Sequence, residues 1–270
     1  MDFKTLKVER VDAIARVQLN RPEKANAMNA AMWGELRDAM RWADLTPQVR
    51  VVVISGAGKH FTSGIDLSLL AGLSTRTKDA CEGRSHEKLR QMILDLQDCL
   101  NALERCRKPV IAAIHGACVG GGIDLIAACD MRYCTADAYF SVKEIDVGMV
   151  ADVGTLQRLP HLIGIGMTRE LAYTGRRVDA AEANSIRLVN RSYDSPETLH
   201  SEVSKLAATI AAKSPLAVRG TKEMITYARD HSVADGLNYI ATWNAAMLLS
   251  KDLMEAGQAM MEKRSPVFAD

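Results

Sequence analysis

The stretch KPVIAAIHGACVGGGIDLIAACD, residues 108–130, decides the fold. It opens with an apolar run of strand length, breaks into a glycine-rich turn, and continues with the helix-like segment IDLIAACD. Upstream, AIARVQLN alternates like a half-buried strand, AAMWGELRDAMRWADL has helical spacing, and VRVVVISGAG is a second apolar strand ended by glycines. Strands that are apolar on both faces are typical of covered parallel sheets, and their alternation with helices indicates the α/β class.

The remaining segments predict a helical layer over this α/β core. The polar residues 73–88 are interpreted as a mobile loop, and residues 89–106 repeat apolar side chains every three or four positions, as a long helix does. A last short strand is expected within residues 131–142. Helical periodicity then dominates residues 155–270, where Ser214 and Pro215 fit a helix start.

Composition and charge disfavour several classes of partner. The 34 basic and 33 acidic side chains give a formal net charge of +1, so no global field favours nucleic acid. No apolar run reaches the roughly 18 residues of a membrane span, and no membrane partner is expected. The six cysteines show no CxxC pair and no nearby histidine spacing, which argues against a metal site or a disulfide framework. With no recognisable targeting segment, the sequence predicts a cytoplasmic protein.

Two strand ends break into small residues, HFTSGIDL at residues 60–67 and HGACVGGGIDL at residues 115–125. A glycine-rich turn that opens a helix leaves backbone N–H groups unpaired, and two such donors converging on one carbonyl oxygen form an oxyanion hole. Tight packing without a ligand is the alternative for either turn. The triple glycine at 120–122 lacks the order of a dinucleotide site and the Lys-Ser/Thr end of a P-loop, so dehydrogenases and NTPases are disfavoured.

Three acids follow the second turn. Asp124 comes directly after the triple glycine within an apolar segment, and Glu144 and Asp152 lie farther on among glycines and apolar residues. Partial burial there would raise the pKa of a carboxyl group towards neutrality, which is the condition for general acid/base catalysis. The sequence leaves open whether the three meet in space or are surface carboxylates.

With these motifs, the chain resembles the crotonase (enoyl-CoA hydratase/isomerase) superfamily from about residue 6 to about residue 253. The resemblance rests on SGIDL, GACVGGGIDLIAACDMRYC, FSVKEIDVGMVADVGTLQRLP and KSPLAVRGTKEMI. It implies a spiral of ββα units at residues 1–200 that holds the CoA and catalytic site. It also implies a helical cover and oligomerisation region at residues 201–270, with homotrimers or homohexamers as the expected assemblies.

The resemblance also implies an activity and the residues that perform it. Within the superfamily, the three acids together with ADVGTLQRLP are similar to the pattern of the dienoyl-CoA isomerases, which shift a 3,5-dienoyl-CoA to a 2,4-dienoyl-CoA in fatty-acid β-oxidation. No cofactor is expected, because CoA is part of the acyl-CoA substrate. The positions implied are Ile65 and Gly121 for the oxyanion hole, Lys24, Ser63, Gly64, Ile65, Asp66, Leu67 and Gly121 for substrate binding, and Asp124, Glu144 and Asp152 for catalysis.

In this hypothesis, Glu144 removes a proton at C2, Asp152 delivers one at C6, and Asp124 lies deeper in the acyl pocket and tunes the pair. Two other functions stay open. One is an enoyl-CoA hydratase in which Asp124 and Glu144 handle water, and the other is an acyl-CoA-binding protein without activity. Leu73, Met149 and Val150 either shape the acyl pocket or belong to the ordinary core.

Overall fold

The computed structural model describes residues 2–269, which form two β-sheets surrounded by helices. The strands are β1 (Leu6–Val11), β2 (Ile14–Leu19), β3 (Val51–Gly56), β4 (Val110–Ile114), β5 (Ala117–Val119), β6 (Met131–Thr135), β7 (Tyr139–Ser141), β8 (Val178–Asp179) and β9 (Arg191–Tyr193). The helices are α1 (Ala30–Leu45), α2 (Leu67–Ala71), α3 (Leu73–Thr77), α4 (Glu82–Arg105), α5 (Gly121–Ala127), α6 (Thr155–Ile163), α7 (Ile165–Thr174), α8 (Ala180–Ser185), α9 (Pro196–Ala211), α10 (Pro215–Ala228), α11 (Val233–Met247) and α12 (Lys251–Glu262).

A six-stranded sheet in the order β1-β2-β3-β4-β6-β9 forms the centre of the fold. β1 and β2 make an antiparallel hairpin, and every other neighbouring pair is parallel. β3 and β4 are buried along almost their whole length because helices lie on both sides of the sheet. This confirms the predicted α/β class and the covered parallel sheet.

The two faces of the sheet are covered by different helices. α1 and α4 pack together on one face, and the helical stripe of α1 is buried there as predicted. α9 covers the other face with one small or branched side chain per helical turn, namely Leu199, Val203, Ala207 and Ala211. The predicted regional boundary at residue 200 lies inside α9, and the division into two regions stays a prediction. Within residues 2–269, no helix is long and apolar enough to cross a membrane.

The small sheet β5-β7-β8 holds the second glycine turn in place. β5 ends directly before Gly120, whose N–H donates to the carbonyl oxygen of Ser141 at the end of β7 (2.9 Å). α5 begins at the next residue. The turn and the first residues of α5 are therefore anchored between two strands.

Three regions of the chain differ from the sequence prediction. Residues 73–88 are not a loop, since α3 lies there and α4 begins at Glu82. The carboxylate of Asp79 binds the Cys81 N–H and the side chains of Arg84 and Lys88, which stabilises this polar helix start. Residues 131–142 hold two strands rather than one, and β8 and β9 lie in the region predicted to be helical.

Candidate active site

The two glycine turns lie side by side, joined through Thr62. Thr62 and Cys118 form a parallel bridge in which the Thr62 N–H donates to the Ala117 carbonyl (3.0 Å) and the Val119 N–H donates to the Thr62 carbonyl (3.2 Å). The Thr62 hydroxyl also accepts a hydrogen bond from the Gly64 N–H (3.0 Å). One residue thereby fixes the ends of both strands and the start of the first turn.

Glycine is required where the turns touch. Gly64 has φ +89°, and a Cβ added to it would lie 2.6 Å from the Val119 carbonyl oxygen. Gly120 has φ +55°, a conformation that residues with a side chain rarely adopt. The backbones of the two turns can approach this closely because neither residue carries a Cβ.

Ile65 and Gly121 each present a backbone N–H beside this contact. Met28 donates to the Gly64 carbonyl (2.8 Å) and accepts from the Asp66 N–H (3.0 Å), so the Ile65 N–H between them points away from Met28. Gly121 is the first residue of α5, where an N–H has no acceptor within the helix. Both residues line the same cavity. Two such donors on one wall can bind a carbonyl oxygen.

That cavity has a volume of about 550 Å³, a size typical of small-molecule sites. Glu144 and Asp152 line it together with Ile65 and Gly121. Most of the other lining side chains are apolar and come from α1, α2, α3 and α4. Of the residues considered for the acyl pocket, Leu73 and Met149 line the cavity, whereas Val150 is 73% exposed and does not.

Asp124 is in the first turn of α5 and is fully buried. Its Oδ1 accepts the Thr155 N–H at 2.5 Å, and its Oδ2 has no hydrogen-bond partner within residues 2–269. Burial raises the pKa of Asp124 to about 6, while the Thr155 hydrogen bond acts in the opposite direction. Asp124 is not among the residues that line the cavity. It therefore lies behind the cavity wall.

Glu144 begins the 3₁₀ turn Glu144–Val147 and faces the cavity. Its Oε1 lies 3.4 Å from the position that a Cβ on Gly120 would occupy, so the carboxyl group is directly beside the second glycine turn. Burial, and then the negative charge of Asp124, raise the pKa of Glu144 to about 7. A carboxyl group with this pKa can both accept and release a proton at neutral pH.

Asp152 is the second carboxylate that lines the cavity. It is half-buried, and this burial raises the pKa of its carboxyl group. Its main-chain oxygen accepts a hydrogen bond from the Gln97 side chain of α4 (2.6 Å), which fixes the segment before α6. The structure thus brings together all three acids proposed from the sequence, two facing the cavity and one behind it.

The remaining residues proposed for substrate binding lie on the outer side of the first turn. Lys24 is exposed at the end of the 3₁₀ turn Pro22–Lys24, and the adjoining Ala25 carbonyl accepts the Ser63 N–H (2.9 Å). Leu67 is 66% exposed. Asp66 caps α2, and hydrogen bonds from Ser68 and Arg21 lower its pKa to about 2. Within residues 2–269, its carboxylate is engaged in holding the turn.

Residues 9–270 match the enoyl-CoA hydratase/isomerase family. The chain belongs to that family. It is 49% identical to the peroxisomal Δ(3,5)-Δ(2,4)-dienoyl-CoA isomerase of Arabidopsis thaliana, over 99% of this chain and 98% of the relative. It is also 49% identical to the mitochondrial enzyme of the same name from Homo sapiens, over 93% of this chain and 77% of the relative.

Solved structures of this family show the same architecture. The crystal structure of an enoyl-CoA hydratase from Bacillus anthracis superposes with a TM-score of 0.89 at 31% identity, covering 98% of this chain and 99% of that one. The expectation of a crotonase-type fold is confirmed. The expectation of a cytoplasmic location is contradicted, because the Arabidopsis and human relatives are named for the peroxisome and the mitochondrion.

Three residues that hold the acids and the first glycine turn in place were not predicted from the sequence. Thr155 lies within the quoted TLQRLP motif and donates its backbone N–H to Asp124. Its position close to Asp152 in the sequence could have pointed to it. Arg21 opens the loop before α1 and binds Asp66 (2.9 Å). Gln97 contacts Asp152 across 55 positions of the chain, and no local pattern marks such a contact.

Proposed function

We propose that the protein is a Δ3,5-Δ2,4-dienoyl-CoA isomerase of fatty-acid β-oxidation. The observation that carries the proposal is the shared cavity, in which Glu144 and Asp152 face the same space as Ile65 and Gly121. An isomerase that takes a proton from one carbon and delivers a proton to another needs two carboxyl groups, or similar acid/base groups, within reach of one substrate. The Arabidopsis and human relatives carry this activity in their names and match most of the chain.

The proposed reaction begins at the thioester. Its oxygen accepts the N–H groups of Ile65 and Gly121, which makes the C2 proton acidic because negative charge can collect on that oxygen. Glu144 removes the C2 proton and gives an enolate that is conjugated with the double bonds at C3 and C5. Asp152 delivers a proton at C6, so one proton leaves and one arrives, and the double bonds move into conjugation with the thioester. No oxidation state changes, so the reaction requires no redox cofactor, and the two N–H donors serve where a metal could act as a Lewis acid.

Asp124 tunes the pair in this scheme. Its carboxylate does not line the cavity, but its negative charge raises the pKa of Glu144. A base whose pKa lies near the working pH binds and releases a proton with comparable ease. Asp124 is therefore proposed as a positioning and tuning residue rather than as a proton donor to the substrate.

The alternative activity is that of an enoyl-CoA hydratase, as in the Bacillus anthracis structure. The hydratase hypothesis needs Asp124 and Glu144 to hold one water molecule against the substrate. Asp124 is fully buried, and one of its oxygens accepts the Thr155 N–H. Of these two acids, Glu144 alone lines the cavity. An acyl-CoA-binding protein without activity would need the two turns but no carboxyl groups of raised pKa.

CoA itself is proposed to lie along Ser63, Gly64, Asp66 and Leu67, with its phosphates near Lys24. The support for Lys24 is its exposure and the direct hydrogen bond between the neighbouring Ala25 and Ser63. A lysine ammonium group in water can pair with a phosphate at little desolvation cost.

The assembly is proposed to be a homotrimer or a homohexamer. α11 has no buried residue although it is rich in apolar side chains. Exposed fractions reach 93% at Leu249 and 81% at Met260 and Met261, and apolar patches of this kind mark protein contacts. Light scattering on the intact protein should give three or six chains per particle, and a monomer would contradict the proposal.

The first experiment mixes the protein with 3,5-octadienoyl-CoA and, separately, with a 2-enoyl-CoA, and follows the ultraviolet absorbance of the conjugated thioester. Rising 2,4-dienoyl absorbance supports the isomerase. Loss of enoyl absorbance alone would make the protein a hydratase. Tight binding of both esters without turnover would make it a binding protein.

The roles of the two acids are separated by deuterium exchange at C2. Glu144→Gln should reduce both C2 exchange and isomerisation by about 10²–10⁴-fold. Asp152→Asn should leave C2 exchange and reduce isomerisation. Asp146→Asn is the matched control, because Asp146 lies on the same 3₁₀ turn, pairs with Lys143 and does not line the cavity. Wild-type isomerisation rates in both active-site variants would refute the assignment.

A further inference from the structure

The cavity is also lined by a set of exposed charged side chains, here called its mouth. Arg37, Arg76 and Asp95 line it, and all three residues are exposed. Most of the remaining wall is apolar and includes Leu69, Leu70, Leu73, Leu89, Met92, Ile93 and Leu96. The cavity therefore combines two carboxyl groups, an apolar wall and exposed charged side chains.

The helix α1 lines the cavity from the second glycine turn to Arg37. Ala30, Trp33, Gly34 and Arg37 line the cavity at the spacing of one helical face. The Trp33 ring lies 3.5 Å from the position that a Cβ on Gly121 would occupy, so this part of α1 is at the catalytic end. Arg37 follows Trp33 by four residues, which is about 6 Å farther along the helix at about 1.5 Å per residue.

The guanidinium groups at this mouth have bonding capacity to spare. Within residues 2–269, Arg76 makes no side-chain hydrogen bond or ion pair, and Arg37 is engaged only through Nε, which donates to Asp38 at 3.3 Å. Asp95 accepts the Gln91 amide (2.9 Å). Of these three lining residues two are cations, and Arg76 has no ion-pair partner within residues 2–269.

We propose that the mouth formed by Arg37 and Arg76 binds a carboxylate at the far end of the acyl chain, so that the substrate class includes dienoyl-CoA esters of dicarboxylic acids. This inference rests on the proposed isomerase function and narrows its substrate. A guanidinium group matches the two oxygens of a carboxylate, whereas a terminal methyl group at the same mouth would lie against charged side chains and water. Such a substrate combines a thioester, an apolar chain and a terminal anion, for which the cavity offers the two N–H donors, the apolar wall and the two arginines.

The test compares two 3,5-dodecadienoyl-CoA substrates that differ only in a terminal methyl or carboxylate group. The wild-type protein should turn over the carboxylate substrate with a kcat/KM about three- to tenfold higher, as expected for two partly exposed ion pairs. The double variant Arg37→Gln/Arg76→Gln should lose this preference, so that its kcat/KM values for the two substrates become equal. Arg90→Gln is the control, because Arg90 lies on α4, is exposed and does not line the cavity.

Equal kcat/KM values for the two substrates in the wild-type protein would overturn the inference, and so would a preference that survives in the double variant. The latter result would mean that the arginines only cover the apolar wall with their aliphatic stems. If no dienoyl-CoA is isomerised, the proposed function has failed. In that case the inference is decided by calorimetric affinities for dodecanoyl-CoA and its terminally carboxylated analogue, measured on the wild-type protein and the double variant.

Discussion

Replacing Asp124 by Asn should make the protein more stable at alkaline pH. Asn keeps an oxygen that can accept the Thr155 N–H, and it removes a carboxyl group that is fully buried. Oδ2 of Asp124 has no partner within residues 2–269, so the wild-type carboxylate is charged and only half satisfied. A buried charge without full compensation destabilises the folded state.

The magnitude follows from the pKa of Asp124, which rises from 3.8 to about 6 on folding because of burial. At about 1.36 kcal/mol per pKa unit, this corresponds to about 3 kcal/mol. The carboxyl group is neutral in both states at low pH. As the pH rises from about 4 to about 6, the unfolded chain ionises first, so the wild-type protein loses stability, and the loss is complete at higher pH.

The assay is thermal unfolding of the wild-type protein and Asp124→Asn at about pH 4 and about pH 8, at one protein concentration because assembly also affects the midpoint. The difference in Tm between the two proteins should shift in favour of the variant by up to about 10 °C between these pH values, at about 2–4 °C per kcal/mol. Any cost of the Asn side chain itself is present at both pH values and cancels. An equal Tm difference at the two pH values would refute the reasoning, and Asp146→Asn should show no such change.

Two further predictions concern activity. The proposed transfer needs Glu144 ionised and Asp152 protonated, so the pair must hold one proton between them. We expect kcat/KM to fall as the pH rises through about 7, where the pair loses this shared proton and Asp152 has none to deliver. Asp124→Asn should move this fall to lower pH, and a pH-independent rate would contradict the scheme. Gly64→Ala should lower kcat by about 10²–10³-fold by displacing the Ile65 N–H, because the new Cβ would lie 2.6 Å from the Val119 carbonyl. Gly166→Ala is the control, because Gly166 lies on α7, does not line the cavity and has nothing within 4 Å of the new Cβ. It should leave the rate near wild type, and equal rates for both glycine variants would contradict the prediction.

The sequence predicted elements whose pattern arises from burial. α1 and β3 were predicted correctly because their apolar side chains face the core at helical and strand spacing. The first turns of α4 were mistaken for a loop because their side chains are polar and face water, so no apolar period marks them. β8 and β9 have two and three residues, which is too short for any period to be read.

The acids of the candidate site could be predicted from the sequence, but which of them line the cavity could not. Burial among glycines and apolar residues pointed to raised pKa values for Glu144 and Asp152, and the structure agrees for both. The pKa of Asp124 is raised as well, which the sequence did not predict. The sequence placed Asp124 deep in the acyl pocket. In the structure it lies behind the wall, where its Oδ1 accepts the Thr155 N–H from 31 positions away. Contacts of this range depend on tertiary packing, which no local pattern records.

Gln97 offers a way to separate the position of Asp152 from the basicity of Glu144. Its amide is the side chain that holds the Asp152 carbonyl, and it comes from α4, the helix that also forms much of the cavity wall. Gln97→Met keeps the apolar stem and removes the donor, which costs about 1–3 kcal/mol when a buried carbonyl loses its partner. Isomerisation should then fall by about tenfold or more, since small displacements of a catalytic group are costly.

The same variant should leave deuterium exchange at C2 unchanged, because Glu144 lies on the segment after β7 and the Gln97 amide donates to Asp152 rather than to Glu144. Gln91→Met is the matched control on α4, where the amide binds Asp95 at the exposed mouth of the cavity. If Gln97→Met reduced C2 exchange and isomerisation equally, the positions of Glu144 and Asp152 would both depend on α4. Loss of isomerisation alone would place the second proton transfer under the control of α4, so that the acyl chain that α4 contacts also sets the position of its proton donor.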